Sequence, residues 1–257
     1  MEYAHLSDTV KIKTVSETET EGTFEIEGLY VGYGITIGNA LRRVLLSSLP
    51  GAAITQIKIK GVEHEFSTIP GVKEDVVEIT LNLKKVRFKF HADEPQALSL
   101  KVKGENNATA TDIKGTSLVE VANPDAHIAS LTEKSASLEM EITVEKGLGY
   151  VPVEARKMER LHIKTIALDA IFTPVRQVNF TVENMRVGER TDYNRIKLFI
   201  ETDGTLTPSS ALKKSVNILR DHFDKIAAIE VKEIKEAEKP AKKEVKTARK
   251  KKAVKGE

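Results

Sequence analysis

The residues equipped to do chemistry are few and scattered. Histidines stand at positions 5, 64, 91, 127, 162 and 222. None has the i, i+4 partner or the glutamate spacing that puts two metal ligands on one helix face. They are expected to be structural or surface histidines, and no metal site is expected. His64 and Glu65 lie next to Ser67, but a Ser/His/acid triad is defined by geometry in space, and neighbours along one strand point to opposite faces. No hydrolase is expected there. The adjacent carboxylates Glu74 and Asp75 read as solvated charge in a loop, without the third carboxylate of a metal cage. Gly32-Tyr33-Gly34 and Gly38 before a helix suggest a phosphate cradle. Their spacing departs from the dinucleotide fingerprint, however, and no Gly-Lys-Ser/Thr follows. The chain has no cysteine, which removes disulfides, thiolate metal sites and thiol nucleophiles together. No catalytic residue is therefore expected.

The elements that would position any site alternate between strands and two conspicuous helices. Period-2 alternation in Val10-Lys11-Ile12-Lys13 and in Thr23-Phe24-Glu25-Ile26-Glu27 predicts two strands. A helix is predicted from Ile37 to Leu49, closed by Pro50-Gly51. From Ala52 to Lys164 strand alternation dominates, as in Ile54, Ile57 and Ile59, in Val77, Ile79, Leu81 and Leu83, and in Leu138, Met140, Ile142 and Val144. Polar, glycine-bearing stretches such as Lys103-Gly104-Glu105-Asn106-Asn107 read as turns between these strands. Strands return over 175–182 and 196–201, and Thr207-Pro208 opens a helix reaching about Ile229. After Lys232 the chain is Lys, Glu and Ala with few large apolar groups, too little to offset ordering entropy, and is predicted to be disordered.

On a helical wheel, Ile37, Ala40, Leu41, Val44 and Leu45 form a core-facing stripe. The opposite face carries Asn39, Arg42 and Arg43 around Leu46. Either Leu46 is a single exposed leucine, or this face is a protein interface, where arginine offers bidentate pairing to carboxylates. The C-terminal helix carries Leu212, Val216, Leu219, Phe223 and Ile226 at the 4-3-4-3 spacing of an a/d seam. Burying these five side chains could contribute about 8 to 15 kcal/mol before ordering costs. Spacing alone leaves open whether the seam meets its own sheet or a partner, and Ile218, off the seam, favours contacts on two sides.

The chain has 257 residues, 40% hydrophobic and 30% charged, enough for a sizeable core. No run of 18 apolar residues exists, and the start, Met1-Glu2-Tyr3-Ala4-His5, lacks the layout of a secretory signal. A cytoplasmic chain with no membrane partner is expected. Net charge is +2, but residues 233–257 hold ten Lys/Arg against five Asp/Glu. The basic character thus belongs to the tail, and the folded part carries no global footprint of a nucleic-acid binder.

The segment Thr36-Ile37-Gly38-Asn39-Ala40-Leu41-Arg42-Arg43-Val44-Leu45-Leu46-Ser47-Ser48-Leu49-Pro50-Gly51 resembles the signature helix of bacterial-type RNA polymerase alpha subunits. A second block runs from His64-Glu65-Phe66-Ser67-Thr68 through Gly71-Val72-Lys73-Glu74-Asp75 to Leu81-Asn82-Leu83-Lys84. A third runs through Phe172-Thr173-Pro174-Val175, Asn179-Phe180, Val187-Gly188, Thr191-Asp192 and Thr202-Asp203-Gly204-Thr205. Both are similar to the family's further signatures, and the three blocks follow the family's order over about residues 1–230.

The resemblance implies an α+β fold. A discontinuous dimerisation subdomain, antiparallel sheet plus two helices, takes residues 1–50 and 168–232. A β-rich subdomain is inserted at 51–167, and 233–257 is a basic tail. It further implies a homodimeric, non-catalytic scaffold for the beta and beta-prime subunits, with omega and sigma factors in the holoenzyme. The catalytic magnesium then belongs to the large subunits, with no cofactor in this chain, and the complex is expected at the nucleoid. Asn39, Arg42, Arg43, Leu46 and Lys84 become the expected contacts to the large subunits. Leu41, Leu45, Leu212, Val216, Leu219, Phe223 and Ile226 become the expected dimer interface. Two departures stand out. The family's Pro-Ile-Gly before the return strand is His162-Ile163-Lys164 here, and nothing past Lys232 supplies the small DNA-binding helical domain of most bacterial members. Lys250, Lys251 and Lys252 in the tail are candidates for weak, sequence-independent contact with nucleic acid, or simply keep the chain soluble. Two competing readings remain: a free-standing nucleic-acid binder acting through the tail, and phosphate chemistry at the Gly32–Gly38 loop.

Overall fold

The computed structural model describes residues 7–156 and 164–229. Strands β1 (Lys11–Glu17) and β2 (Glu21–Leu29) form an antiparallel pair. In β2 the alternation divides the faces, with Phe24 and Ile26 buried and Glu25 and Glu27 turned the other way. Helix α1 (Tyr33–Ser47) begins one turn earlier than the sequence predicts. Pro50-Gly51 ends it as expected but also opens β3 (Pro50–Ile59), which carries the chain into the inserted unit.

That unit contains α2 (Val76–Leu83), β4 (Phe88–Phe90), β5 (Gln96–Lys103), β6 (Asn106–Thr109), β7 (Ile113–Lys114), β8 (Val119–Val121) and β9 (His127–Leu131). It continues with β10 (Ser137–Leu148), β11 (Tyr150–Val151), β12 (Ile166–Ala167) and β13 (Ala170–Ile171). Its main sheet runs β12-β3-β10-β5-β7. One face of that sheet, with α2 and the short strands, closes a core that includes Ile57, Ile79, Leu83, Leu100, Leu138 and Ile142.

The segment of Val77, Ile79, Leu81 and Leu83 is a helix and not the strand its alternation predicts. Val76, Ile79, Thr80 and Leu83, spaced i, i+3, i+4 and i+7, are its buried residues, and Leu81 stays exposed. Asp75 decides the start: its carboxylate accepts the Glu78 amide at 2.6 Å as an N-cap. The reading of Glu74-Asp75 as merely solvated charge is corrected with it. Glu74 accepts the Ser130 amide at 2.7 Å and the Ser130 hydroxyl at 3.0 Å.

Two 13-residue strands, β14 (Val175–Val187) and β15 (Arg190–Thr202), return the chain to the first sheet in the order β1-β2-β15-β14, antiparallel throughout. Helix α3 (Pro208–Ala227) follows, its Thr207 hydroxyl accepting the Ser210 amide. The two helices and one face of this sheet enclose a second core around Phe24, Leu41, Leu45, Ile196, Leu198 and Leu212. The fold is thus α+β, with a sheet-and-helix unit split in sequence around an insert. Among the described residues no helix is long and apolar enough to cross a membrane.

Candidate functional site

The position of α1 is set from outside the helix. Gly32, in the left-handed region at φ 85°, precedes it without a side-chain cap of its own. Instead Asn194, buried on β15, accepts the amides of Gly32 at 2.9 Å and Gly34 at 3.3 Å. The amides that would have formed a phosphate cradle are therefore occupied. Gly38 lies so close to β14 that a Cβ there would sit 2.5 Å from the ring of Phe180. These glycines seat a helix against a sheet.

Seated this way, α1 turns Leu41 and Leu45 into its own core and leaves Asn39, Arg42 and Arg43 exposed. No carboxylate among the described residues pairs with either arginine. Leu46 is half-buried and packs on the second core, so it is less open than the wheel suggests. The expected dimer residues also divide. Leu41, Leu45 and Leu212 belong to the chain's own core, with exposures of 4%, 0% and 5%. Within the single chain these three side chains are spent on packing the helices against the sheet. Leu219 is half-buried against the same core. Val216, Phe223 and Ile226 are exposed, as are Tyr33 and Ile35 at the start of α1. The seam therefore runs from the core out into solvent.

Lys84 stands at the end of α2, in the insert. Its ammonium meets Asp169 at 3.1 Å, and Asp169 also accepts the Val153 amide at 3.1 Å. Together the Val153 amide and Lys84 hold the Asp169 carboxyl below its ordinary value. Arg156 donates to the carbonyls of Thr55 and Leu168 beside it. Lys84, Val153, Leu168 and Asp169 border a groove of about 680 Å³ that reaches His64, Phe66, Val77 and Thr80. Phe66 stands 77% exposed at its rim.

Two side-chain groupings imitate hydrolytic sites. His64 and Ser67 lie in a loop and not on a strand, and Nδ1 comes within 3.2 Å of the hydroxyl. No described carboxylate orients the other ring nitrogen through a hydrogen bond, so the pair lacks the third member of a triad. Glu74, His127 and Ser130 also cluster, but the His127 Nε2 faces both Glu74 at 3.0 Å and Ser130 at 3.5 Å. The serine hydroxyl donates to the carboxylate at 3.0 Å, so the order of partners is not the serine–histidine–acid order of a triad. Burial pushes the Glu74 carboxyl up, and the hydrogen bonds from Ser130 and His127 outweigh it to leave the group below its ordinary value. Among the described residues no three His, Cys, Asp or Glu side chains converge on a metal position. Lys250, Lys251, Lys252 and the whole of 233–257 lie outside the described residues, as do His162 and Ile163.

The sequence reading missed Asn194 and Asp169. Asn194 had a signal: it occupies the core-facing register of Ile196, Leu198 and Ile200, where a polar residue needs partners. Asp169 had none, since its partners come from residues 84 and 153.

A split sheet-and-helix unit around a β-rich insert defines a class. The model of the RNA polymerase Rpb3/RpoA insert domain matches residues 57–173, which marks the chain as an RNA polymerase subunit of that kind. The DNA-directed RNA polymerase subunit alpha of Symbiobacterium thermophilum is 50% identical over 216 residues, 83% of this chain and 68% of that one. The same subunit of Roseiflexus castenholzii is 51% identical over 84% of this chain and 67% of its own. That of Limosilactobacillus reuteri is 48% identical over 82% and 68%. The chain belongs to the family of DNA-directed RNA polymerase alpha subunits.

Proposed function

We propose that the chain works as a homodimeric scaffold on which the large, catalytic beta and beta-prime subunits of the polymerase assemble. In this reading α3 pairs two copies through Val216, Phe223 and Ile226, joined by Tyr33 and Ile35 of α1. Asn39, Arg42 and Arg43 form one docking face for the large subunits, and the groove at Lys84 forms another. The carrying observation is the division of α1. Its apolar stripe is consumed by its own core while two guanidinium groups stand in solvent, with no described carboxylate of their own chain to pair with. Guanidinium forks of this kind recognise carboxylates on a partner surface. Contacts with further subunits such as omega and sigma, and any contact of the tail with nucleic acid, would follow from assembly.

Purified Arg43→Ala and Arg43→Glu chains should remain folded dimers by light scattering and capture the beta subunit at least tenfold more weakly than the parent. Unimpaired capture by Arg43→Glu would remove the α1 face from the proposal. Loss of the dimer as well would show that the two surfaces are one.

A further inference from the structure

The insert and the split unit are joined covalently at two neighbouring crossings, near Pro50 and near Pro174. One largely buried ion pair spans them beside the Pro174 crossing. Arg87, just before β4, places its Nε 3.5 Å from Oδ2 of Asp203, just after β15, with side-chain exposures of 15% and 6%. Each partner is held at its base. The Arg87 amide donates to Asn123 Oδ1 at 2.7 Å, its carbonyl accepts the Ala122 amide, and its guanidinium donates to the Lys84 carbonyl at 3.3 Å. The Asp203 amide donates to the Pro174 carbonyl, and Oδ1 accepts the Thr205 amide and hydroxyl at 3.0 and 2.6 Å. The Nε–H itself makes no hydrogen bond, so the contact is charge against charge and not a bidentate fork.

We infer that Arg87 and Asp203 are positioning residues: their ion pair fixes the angle between insert and split unit, and so the placement of Lys84 relative to α3 and the α1 arginines. A chain of hydrogen bonds with the ion pair at its middle supports this. It leads from the Lys84 carbonyl through the Arg87 guanidinium and the Asp203 carboxylate to Thr205, two residues before the Thr207 cap of α3. Removing one partner leaves the other charge largely buried without its counter-ion, which disfavours the observed arrangement. The consequence for docking rests on the proposed function; the fixed angle does not.

The chain's lack of cysteine permits a direct test. Spin labels at Lys103→Cys in the insert and Lys213→Cys in α3, both exposed positions, report the distance between the two units within one full-length chain when the labelled chain is mixed with a large excess of unlabelled parent, so that a dimer carries at most one labelled copy. The parent should give one narrow distance distribution. Arg87→Met and Asp203→Asn should at least double its width with circular dichroism and dimer mass unchanged, and Arg87→Lys should recover part of the narrowing. The double variant Arg87→Met/Asp203→Leu leaves no unpaired buried charge, so it should fold like the parent yet keep the broad distribution. Unchanged widths in the single variants would overturn the inference. So would broadening accompanied by loss of the sheet signal in every variant, since that outcome assigns the pair to general stability. Capture of the beta subunit, measured in parallel, should fall about tenfold with the broadening. Full capture despite broad distances would overturn the link to docking while leaving the Arg43 result to judge the docking face itself.

Discussion

Asn194 is the residue on which the seat of α1 depends. Replacing it with alanine strips the amides of Gly32 and Gly34 of their acceptor, and at Gly34, which is buried, the loss of a partner costs about 1–3 kcal/mol. Urea unfolding of Asn194→Ala should show that loss, and a midpoint equal to the parent's would mean the helix start is capped by something else. Asp169 makes a different prediction, one of pH. Its carboxyl is held below the ordinary value of 3.8 by the Val153 amide first and Lys84 second, so the folded state prefers the ionised form. A depressed carboxylate stabilises the fold fully above its ordinary value, and that contribution is lost as pH falls through the lower folded value. Asp169→Asn should therefore be less stable than the parent by a constant margin from neutrality down to about pH 4, and the two curves should converge below it. Curves that stay parallel to pH 2 would deny the shift. The legibility of these residues differs for a physical reason. Arg42 and Arg43 were readable because a helix face is local in sequence. Lys84 was readable only through resemblance, and its partner Asp169 is brought to it by the fold across 85 positions.

Among the elements, α1 and β14 are matched by the absence of a side chain. Gly38→Ala would ordinarily favour a helix by about 0.5–1 kcal/mol. Here the added methyl meets the Phe180 ring at 2.5 Å, and overpacking of this kind costs about 1–3 kcal/mol. The clash exceeds the propensity gain, so thermal unfolding should show a net loss of about 1 kcal/mol or more; a gain would mean the ring simply swings aside. The same comparison of local preference with contact explains α2. Its β-branched residues and short alternation satisfy a strand pattern locally, but the Asp75 cap and the i, i+3, i+4, i+7 burial favour the helix. Eight residues are too few for periodicity to separate the two. Lys164 shows the converse case. It adopts φ 71°, a conformation that a sequence reading would not assign to lysine. Its ammonium meets Glu63 at 2.9 Å, an exposed pair that holds Glu63 below its ordinary value but contributes little stability.

At the scale of the molecule, α3 explains why seam spacing alone could not decide between core and partner: the stripe is buried at one end and exposed at the other. Leu212 is 5% exposed, while Phe223 and Ile226 are 62% and 66% exposed, so the helix leaves its own sheet midway and carries the rest of the seam into solvent. An exposed row of large apolar groups on one helix favours burial against an identical row, because a twofold axis gives each stripe the same stripe to meet. Such an interface is held by apolar area and not by charge, and therefore changes little with ionic strength. The parent chain should have a mass near twice 28.4 kDa by light scattering at both moderate and high salt. Phe223→Glu should halve it without unfolding the chain, since residue 223 touches no part of either core. Leu212→Glu should instead unfold the split unit, because a carboxylate there enters the core unpaired. A parent that is monomeric at micromolar concentration, or a Phe223→Glu chain that remains dimeric, would move the pairing surface off α3 and leave its exposed stripe for a different partner.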